Sequence, residues 1–295
     1  MRACRICDAE ISESYVVKEM LIGLREPFKY IKCSSCGCLQ IAEIPLNLSK
    51  YYPNDYYSLQ IPKEKKSRII RDYIRRSVAL FNIFGTGLVG RFLTHFKSSD
   101  PIYAVYRRVG VKFTDKILDV GGGSGAHMIS LNGIGFKKVM SVDPFISQDV
   151  FLGNTLIAKK SEFFDIRGTY DLITFHHSLE HMPGQVNILK KAAELINPNG
   201  RILIRIPTVT STAWEKYGVN WVNLDAPRHL YLHSHASITM LAKTAGLKVL
   251  DLWNDSVAMQ FWGSEQYRQD IPLTDPYSYS QDKNASIFSP DQISE

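Results

Sequence analysis

Beyond residue 38 the chain has no cysteine: all five stand at positions 4, 7, 33, 36 and 38 of 295. That excludes thiol chemistry and a disulfide framework from the rest of the chain. Uninterrupted apolar runs are missing too. No stretch approaches the roughly 20 residues that span a bilayer, and the opening MRACRICDAE has no apolar core of leader-peptide length. These absences predict a soluble, cytoplasmic protein without a transmembrane segment. The formal charge is +6, yet acids and bases are interspersed and there is no arginine-rich or aromatic-interleaved stripe. Nucleic acid is therefore not an expected partner. Internal repeats and low-complexity tracts are likewise lacking.

What is present begins with two CxxC pairs, Cys4/Cys7 and Cys33/Cys36, around a strand-like stretch at Ser14–Lys18. Too few large apolar residues lie in residues 1–45 to form a core, so the segment needs a staple. Four thiolates in two such turns suit tetrahedral zinc, two sulfurs from each side. A fully thiolate-ligated ion has no open position for water, which makes a structural role the expected one. Cys38 is a substitute ligand or a free thiol.

Residues 46–113 read as a connector and helices. A tyrosine-rich piece, Tyr51-Tyr-Pro-Asn-Asp-Tyr-Tyr-Ser58, precedes helical spacing from Lys63 to Gly110 among Arg68, Arg71, Arg75 and Arg76. Those arginines beside the apolar Val78–Phe84 read as a solvated helix face, with weak contact to an anionic membrane surface as the alternative. From Lys116 apolar β-type runs alternate with helical patterns, the signature of a parallel α/β architecture. The runs are KILDV, KVMSVD, NTLIA, YDLITF, RILIRIP and KVLDLW, with a clear helix at Val186–Ile196. A main domain over 114–270 and a polar tail over 271–295 complete the expected organisation.

Asp119-Val-Gly121-Gly122-Gly123-Ser-Gly125 ends an apolar strand in an acid and a nearly side-chain-free turn. Glycine there tolerates positive φ and close approach of a ligand to backbone N–H groups at a helix start. Asp119 is placed to hold a cation such as a methionine ammonium. Asp143, with Pro144 beside it, ends the next strand where Rossmann-type sites grip ribose hydroxyls. Because Gly121-x-Gly123-x-x-Ala126 also fits a dinucleotide fingerprint, the loop alone leaves an NAD(P)-dependent oxidoreductase open.

The later order, Tyr170-Asp-Leu-Ile through Leu179-Glu-His181 and then Pro198-Asn-Gly-Arg-Ile-Leu-Ile, resembles the class I S-adenosylmethionine (SAM) methyltransferases over residues 114–265. That resemblance implies a Rossmann-like seven-stranded sheet with helices on both faces. Its last strand is antiparallel, with Ser256–Trp262 returning after KVLDLW. It also implies that Asp119, Gly121, Gly122, Gly123 and Gly125 meet the methionine end of SAM and that Asp143 and Pro144 meet the ribose. His176 and His177, after the fourth strand, join the cofactor set. The acid that many relatives place against adenine has no clear counterpart in Lys159-Lys-Ser-Glu-Phe-Phe. Together with the cysteine pairs, the tyrosine connector and Trp221-Val-Asn-Leu-Asp-Ala-Pro-Arg-His-Leu-Tyr-Leu-His-Ser234 resemble the zinc-containing sugar methyltransferases of deoxysugar, capsule and O-antigen biosynthesis.

Methyl transfer from a sulfonium needs alignment, and it needs a base only if the acceptor must lose a proton. A sugar hydroxyl, or a carbon beside a carbonyl, is such an acceptor. His181, next to Glu180, and His229 are the candidate catalytic bases; His233 and His235 share with His229 the insertion where this fold usually carries acceptor contacts, with helix capping or polar filling as the alternative for several of these histidines. Arg228 is a candidate clamp for the phosphates of a nucleotide-linked acceptor. Trp214, Tyr217, Trp221 and Tyr231 are either sugar-facing aromatics or packing. The rivals are an NAD(P)-dependent sugar oxidoreductase, for which no Tyr-x-x-x-Lys pair is well placed, and a non-catalytic zinc-ribbon adaptor with a vestigial SAM fold. The acceptor, the atom methylated, its nucleotide or lipid carrier and the oligomeric state stay open.

Overall fold

The computed structural model describes residues 3–52, 58–61, 69–96, 100–284 and 286–288. Arg68, the Lys63 start of the expected helices, the centre of the tyrosine connector and the end of the tail lie outside the described residues. In chain order the strands and helices begin with β1 (Ile11–Lys18), β2 (Pro27–Cys33) and β3 (Leu39–Ile41), followed by α1 (Ile69–Phe84), α2 (Leu88–Leu93) and α3 (Ile102–Val109). Next come β4 (Ile117–Val120), α4 (Ala126–Ile134), β5 (Val139–Val142), β6 (Val150–Leu152), β7 (Thr155–Lys159), β8 (Tyr170–His176), α5 (Gln185–Leu195) and β9 (Ile196–Arg205). The series ends with α6 (Thr212–Tyr217), β10 (Tyr231–Leu232), α7 (His235–Thr244) and α8 (Met259–Arg268).

Two compact units divide the chain, and neither is continuous in sequence. One draws on Met1–Asn54, Leu179–Lys190 and Ile206–Glu295, the other on Asp55–Ser178 and Lys191–Arg205. This division does not follow boundaries at residues 45, 113 and 270.

The unit containing the glycine turn is built on a mixed sheet in the order β6-β7-β5-β4-β8-β9. Pairings β7-β5-β4-β8-β9 are parallel and β6-β7 is antiparallel. Strand β4 lies at the centre with every residue buried, as expected of an apolar run flanked by strands on both sides. The antiparallel edge comes from a hairpin around Gly153-Asn154, with Gly153 at φ +58°.

Six strands are present among the described residues, where the resemblance implied seven. The expected C-terminal hairpin is absent. Val249, Leu250 and Leu252 are exposed and in no strand, and Met259-Gln-Phe-Trp-Gly-Ser-Glu-Gln-Tyr-Arg forms α8 instead. The physical reason is composition. Met, Gln and Glu favour helix, and Gly263 lets α8 sit against Val222, where a Cβ would come within 2.9 Å.

The second unit carries a four-stranded antiparallel sheet, β1-β2-β3-β10. Its last strand, Tyr231–Leu232, pairs with Gln40 and Leu39 from the far end of the chain. One core unites Cys4, Cys33, Cys36 and Cys38 with Trp214, Tyr217, Trp221, Leu230 and Tyr231. The four aromatics weighed as sugar-facing are thus interior: Trp221 is 1% exposed and Trp214 9%.

Candidate active site

Strand β4 delivers Asp119 to the start of the glycine turn, 2% exposed, with Oδ1 accepting a 2.6 Å hydrogen bond from Thr174 Oγ1 on β8. Gly121, Gly123 and Gly125 all have positive φ, from 55° to 79°, a region other residues enter at a cost. Two of the turn's glycines are also sterically obligatory. A Cβ on Gly122 would meet Asp119 Oδ2 at 2.4 Å, and one on Gly123 would meet the Ser58 carbonyl oxygen at 2.1 Å. Gly125 then opens α4 in the left-handed conformation.

Asp143 ties the turn to β5. Its Oδ2 accepts from Gly123 N at 3.0 Å and its Oδ1 from Phe145 N at 2.9 Å, with half-buried Pro144 between. Burial pushes both carboxyls upward. Asp119 reaches about 7, drawn back by Thr174 and raised further by the charge of Asp143. Asp143 rises despite its two N–H donors. Two buried acids beside a turn rich in N–H groups set negative charge and hydrogen-bond donors side by side, chemistry that can receive a cationic group or hydroxyls.

His176 and His177 lie at the end of β8 in the same unit. His177 takes φ +52° and its Nε2 accepts from Arg205 Nη1 at 3.0 Å. The His176 ring lies 5.5 Å from that of His127. His127 is hydrogen-bonded through Nε2 to Tyr106 Oη at 2.7 Å, and burial lowers its pKa to about 4. Sequence reading missed Thr174, Tyr106 and His127. Only the position of His127, one residue into the helix after the turn, could have singled it out. Ser58 and Gln60 were read as connector, yet their carbonyls accept from Ser124 N and Oγ at 2.9 and 2.6 Å.

His181 and His229 belong to the other unit, where the structure brings them together with ring centroids 4.6 Å apart. Each is oriented by a backbone carbonyl. His181 Nδ1 lies 3.0 Å from Arg228 O and His229 Nδ1 lies 2.7 Å from Asn223 O. Tyr52 Oη is also 3.3 Å from His181 Nδ1. A carbonyl only accepts, so both Nδ1 atoms carry a proton, and in the neutral form of each ring the lone pair lies on Nε2. His229 Nε2 faces Asp225 Oδ2 at 3.8 Å and Glu180 Oε1 at 3.9 Å. Burial, assisted by the charge of His181, lowers the His229 pKa to about 4. His233 bridges Ser237 and Gln185, and His235 begins α7.

Arg228 is not a phosphate clamp. Its side chain is fully buried; Nε and Nη2 bond Asp225, Nη2 also bonds Glu19 at 2.8 Å, and Nη1 donates to Tyr51 O at 2.9 Å. Glu19, equally buried, caps the backbone N–H groups of Leu21, Ile22 and Leu24. The guanidinium therefore organises its own unit. Burial alone would raise the Asp225 carboxyl, but Arg228 holds it below the ordinary range.

The cysteine Sγ atoms of Cys4, Cys7, Cys33 and Cys36 lie within 4.8 Å of one another, with Cys4–Cys36 at 3.7 Å and Cys7–Cys33 at 3.4 Å. Sulfurs on the corners of a zinc tetrahedron are about 3.8 Å apart, so the set fits that ion. Backbone N–H groups of Ile6 and Cys36 point at the Cys4 and Cys33 sulfurs, as they would at thiolates. Cys38 stands outside the set, buried and donating to Leu39 O.

The family described as "Methyltransferase domain" matches residues 84–252, over half of the chain. Among solved structures, the chain is similar to the SAH-bound form of CalO1, a methyltransferase in calicheamicin biosynthesis. The identity is 16% over 63% of this chain and 66% of that one, with a TM-score of 0.41. It is also similar to coclaurine N-methyltransferase bound to N-methylheliamine and SAH, at 16% identity over 71% and 67%, TM-score 0.39. The chain thus spans about two thirds of those proteins' lengths. No curated protein matches.

Proposed function

We infer that the chain, which belongs to the methyltransferase-domain family, transfers a methyl group from SAM to a small-molecule acceptor of the sugar class, at oxygen or carbon. It is a SAM-dependent methyltransferase. The carrying observation is the glycine turn in its setting: three positive-φ glycines, buried Asp119 at its start and Asp143 bonded to Gly123. In this reading the backbone N–H groups and Asp119 hold the methionine end and Asp143 the ribose. When bound, SAM supplies the sulfonium methyl for an in-line displacement, which demands alignment more than chemistry from the protein.

A sugar-type acceptor, nucleotide-linked or a polysaccharide precursor, is supported by the combined occurrence of the cysteine module and the Trp221–Ser234 segment, and by the paired His181 and His229 that could serve it as a base. His181 and His229 are oriented through Nδ1, which leaves Nε2 to act in the manner of a general base. Zinc on Cys4, Cys7, Cys33 and Cys36 is assigned a structural role, because four thiolates leave no place for substrate. Among the described residues no helix is long and apolar enough to cross a membrane, and we assign the cytoplasm as the setting.

Calorimetric titration with SAM, S-adenosylhomocysteine and NAD(H) tests the reading. Micromolar binding of the two adenosyl compounds, lost in Asp119→Ala, is expected. Binding of NAD(H) alone would overturn it. With donor binding intact, His181→Ala or His229→Ala is expected to lower turnover about 10²–10⁴-fold, and unchanged turnover in both would remove the base assignment.

A further inference from the structure

We propose that Glu180, His181 and His229 form a second metal site, for one divalent cation held by nitrogen and oxygen ligands and separate from the four cysteines. One ligand atom from each of the three residues lies within 4.8 Å of the others. Ligands around a tetrahedral ion bound at about 2.1 Å stand roughly 3.4 Å apart, so closure requires side-chain shifts of about 1 Å. The site rests on the reading above only for its use in catalysis; the binding of the ion is independent of it.

Two observations point the same way. The first is the tautomers. Both imidazoles spend Nδ1–H on a backbone carbonyl, Arg228 O for His181 and Asn223 O for His229. This outer contact fixes a histidine ligand and raises the basicity of its other nitrogen. The second is the placement of lone pairs. His229 Nε2 stands 3.9 Å from Glu180 Oε1 and 3.8 Å from Asp225 Oδ2, beyond hydrogen-bond distance. One imidazole nitrogen and two carboxylate oxygens thus converge at distances that a single ion between them could bridge.

The backbone holds the ligands in register. Leu230 N donates to Glu180 O at 2.8 Å, Tyr30 Oη donates to His229 O at 2.7 Å, and Gln185 Nε2 donates to Leu179 O at 2.6 Å. Two histidines and one carboxylate are a donor set suited to Zn²⁺, Co²⁺, Mn²⁺ or Fe²⁺, leaving positions for oxygen ligands. An acceptor offering a hydroxyl, with or without a neighbouring oxygen, fits those positions, and with the ion bound it is the ion, in place of a free imidazole, that would ease loss of the hydroxyl proton.

Cobalt(II) is the probe. The full-length, reduced protein is loaded with one equivalent of zinc, titrated with Co²⁺, and followed by absorption and by metal content after desalting. One retained Co²⁺ per chain is expected, with visible d–d bands and without the intense thiolate-to-cobalt charge-transfer band. Glu180→Gln and His181→Ala should each weaken binding at least tenfold, while Glu215→Gln, an exposed acid elsewhere, should change it less than twofold. SAM titration of each variant reports the donor reading separately. Loss of SAM binding alone would sink that reading and leave the metal site standing. Failure of the wild type to retain Co²⁺ outside the thiolates, or retention equal in both ligand variants, overturns the proposal.

Discussion

Replacing Arg228 by Met tests how the histidine-bearing unit is held together. The wild-type guanidinium has no exposed surface and bonds Glu19, Asp225 and the Tyr51 carbonyl. Met matches its stem but leaves two buried carboxylates without their cation. Removing one partner of such a pair costs about 3–5 kcal/mol. At a urea slope of about 2 kcal/mol per M, the midpoint should fall by roughly 1.5–2.5 M. All four tryptophans, Trp214, Trp221, Trp253 and Trp262, belong to this unit, so urea unfolding followed by tryptophan fluorescence reads it directly. The loss should also depend on pH. In the wild type Asp225 is held below its ordinary pKa by Arg228 against burial. Its stabilisation is therefore present above the unfolded value of about 3.9 and lost as pH falls. In Arg228→Met burial acts without that counterweight and the carboxyl rises. The folded state then binds the extra proton, and stability falls as pH increases above about 4. The deficit should be larger at pH 8 than at pH 5 by at least about 1 kcal/mol. Arg228→Lys keeps the charge but cannot reach all three acceptors, and should lie between the two. A deficit under about 1 kcal/mol at pH 8, with no dependence on pH, would refute the reasoning.

Other expectations follow from the glycine turn and the cysteines. Asp119 is pushed up to about 7 by burial, so its stabilising protonated form is lost as pH rises through 7 while the ionised form that attracts an ammonium appears. SAM affinity measured by calorimetry should therefore increase up to tenfold per pH unit below about 7 and flatten above it, and Asp119→Asn should abolish the dependence. Gly123→Ala, which sets a Cβ 2.1 Å from Ser58 O at φ +55°, should weaken SAM binding at least tenfold with the tryptophan unfolding midpoint unchanged. Cys33→Ser should lower the zinc content, measured by elemental analysis, by about one per chain and lower that same midpoint, because Cys33 belongs to the core shared with Trp214 and Trp221.

How much of this was legible in the sequence follows the range of each interaction. The glycine turn, the place of Asp143 and the clustering of the CxxC pairs were readable because each pattern is spelled within a few residues. Strands β4, β5, β7, β8 and β9 were readable from apolar runs for the same reason. KVLDLW misled because alternation without a partner strand is not a strand, and the helix formers of Met259–Arg268 outweighed the apparent hairpin. The Gly153-Asn154 hairpin was signalled by that dipeptide and passed over. Arg228 could not be assigned: its partner Glu19 lies 209 residues away, and a basic side chain near a histidine looks the same whether it awaits a phosphate or closes a buried pair. Equally, aromatic residues of Trp214–Tyr231 read identically as a sugar platform or as a core until the cysteine sheet packs on them.

Strand β10 pairs with β3 across more than 190 residues of sequence, and this sets an order of events during synthesis. At translation rates of about 5–20 residues per second, the edge of β3 waits roughly 10–40 s for Tyr231 and Leu232 to emerge. Throughout that interval the cysteine hairpin presents an uncovered strand edge, the kind of surface on which nascent chains pair wrongly. A metal ion captured early by Cys4, Cys7, Cys33 and Cys36 would hold the hairpin in register until its last strand arrives. Zinc supply during expression should then govern the yield of soluble protein, even if the finished fold tolerates the ion's removal.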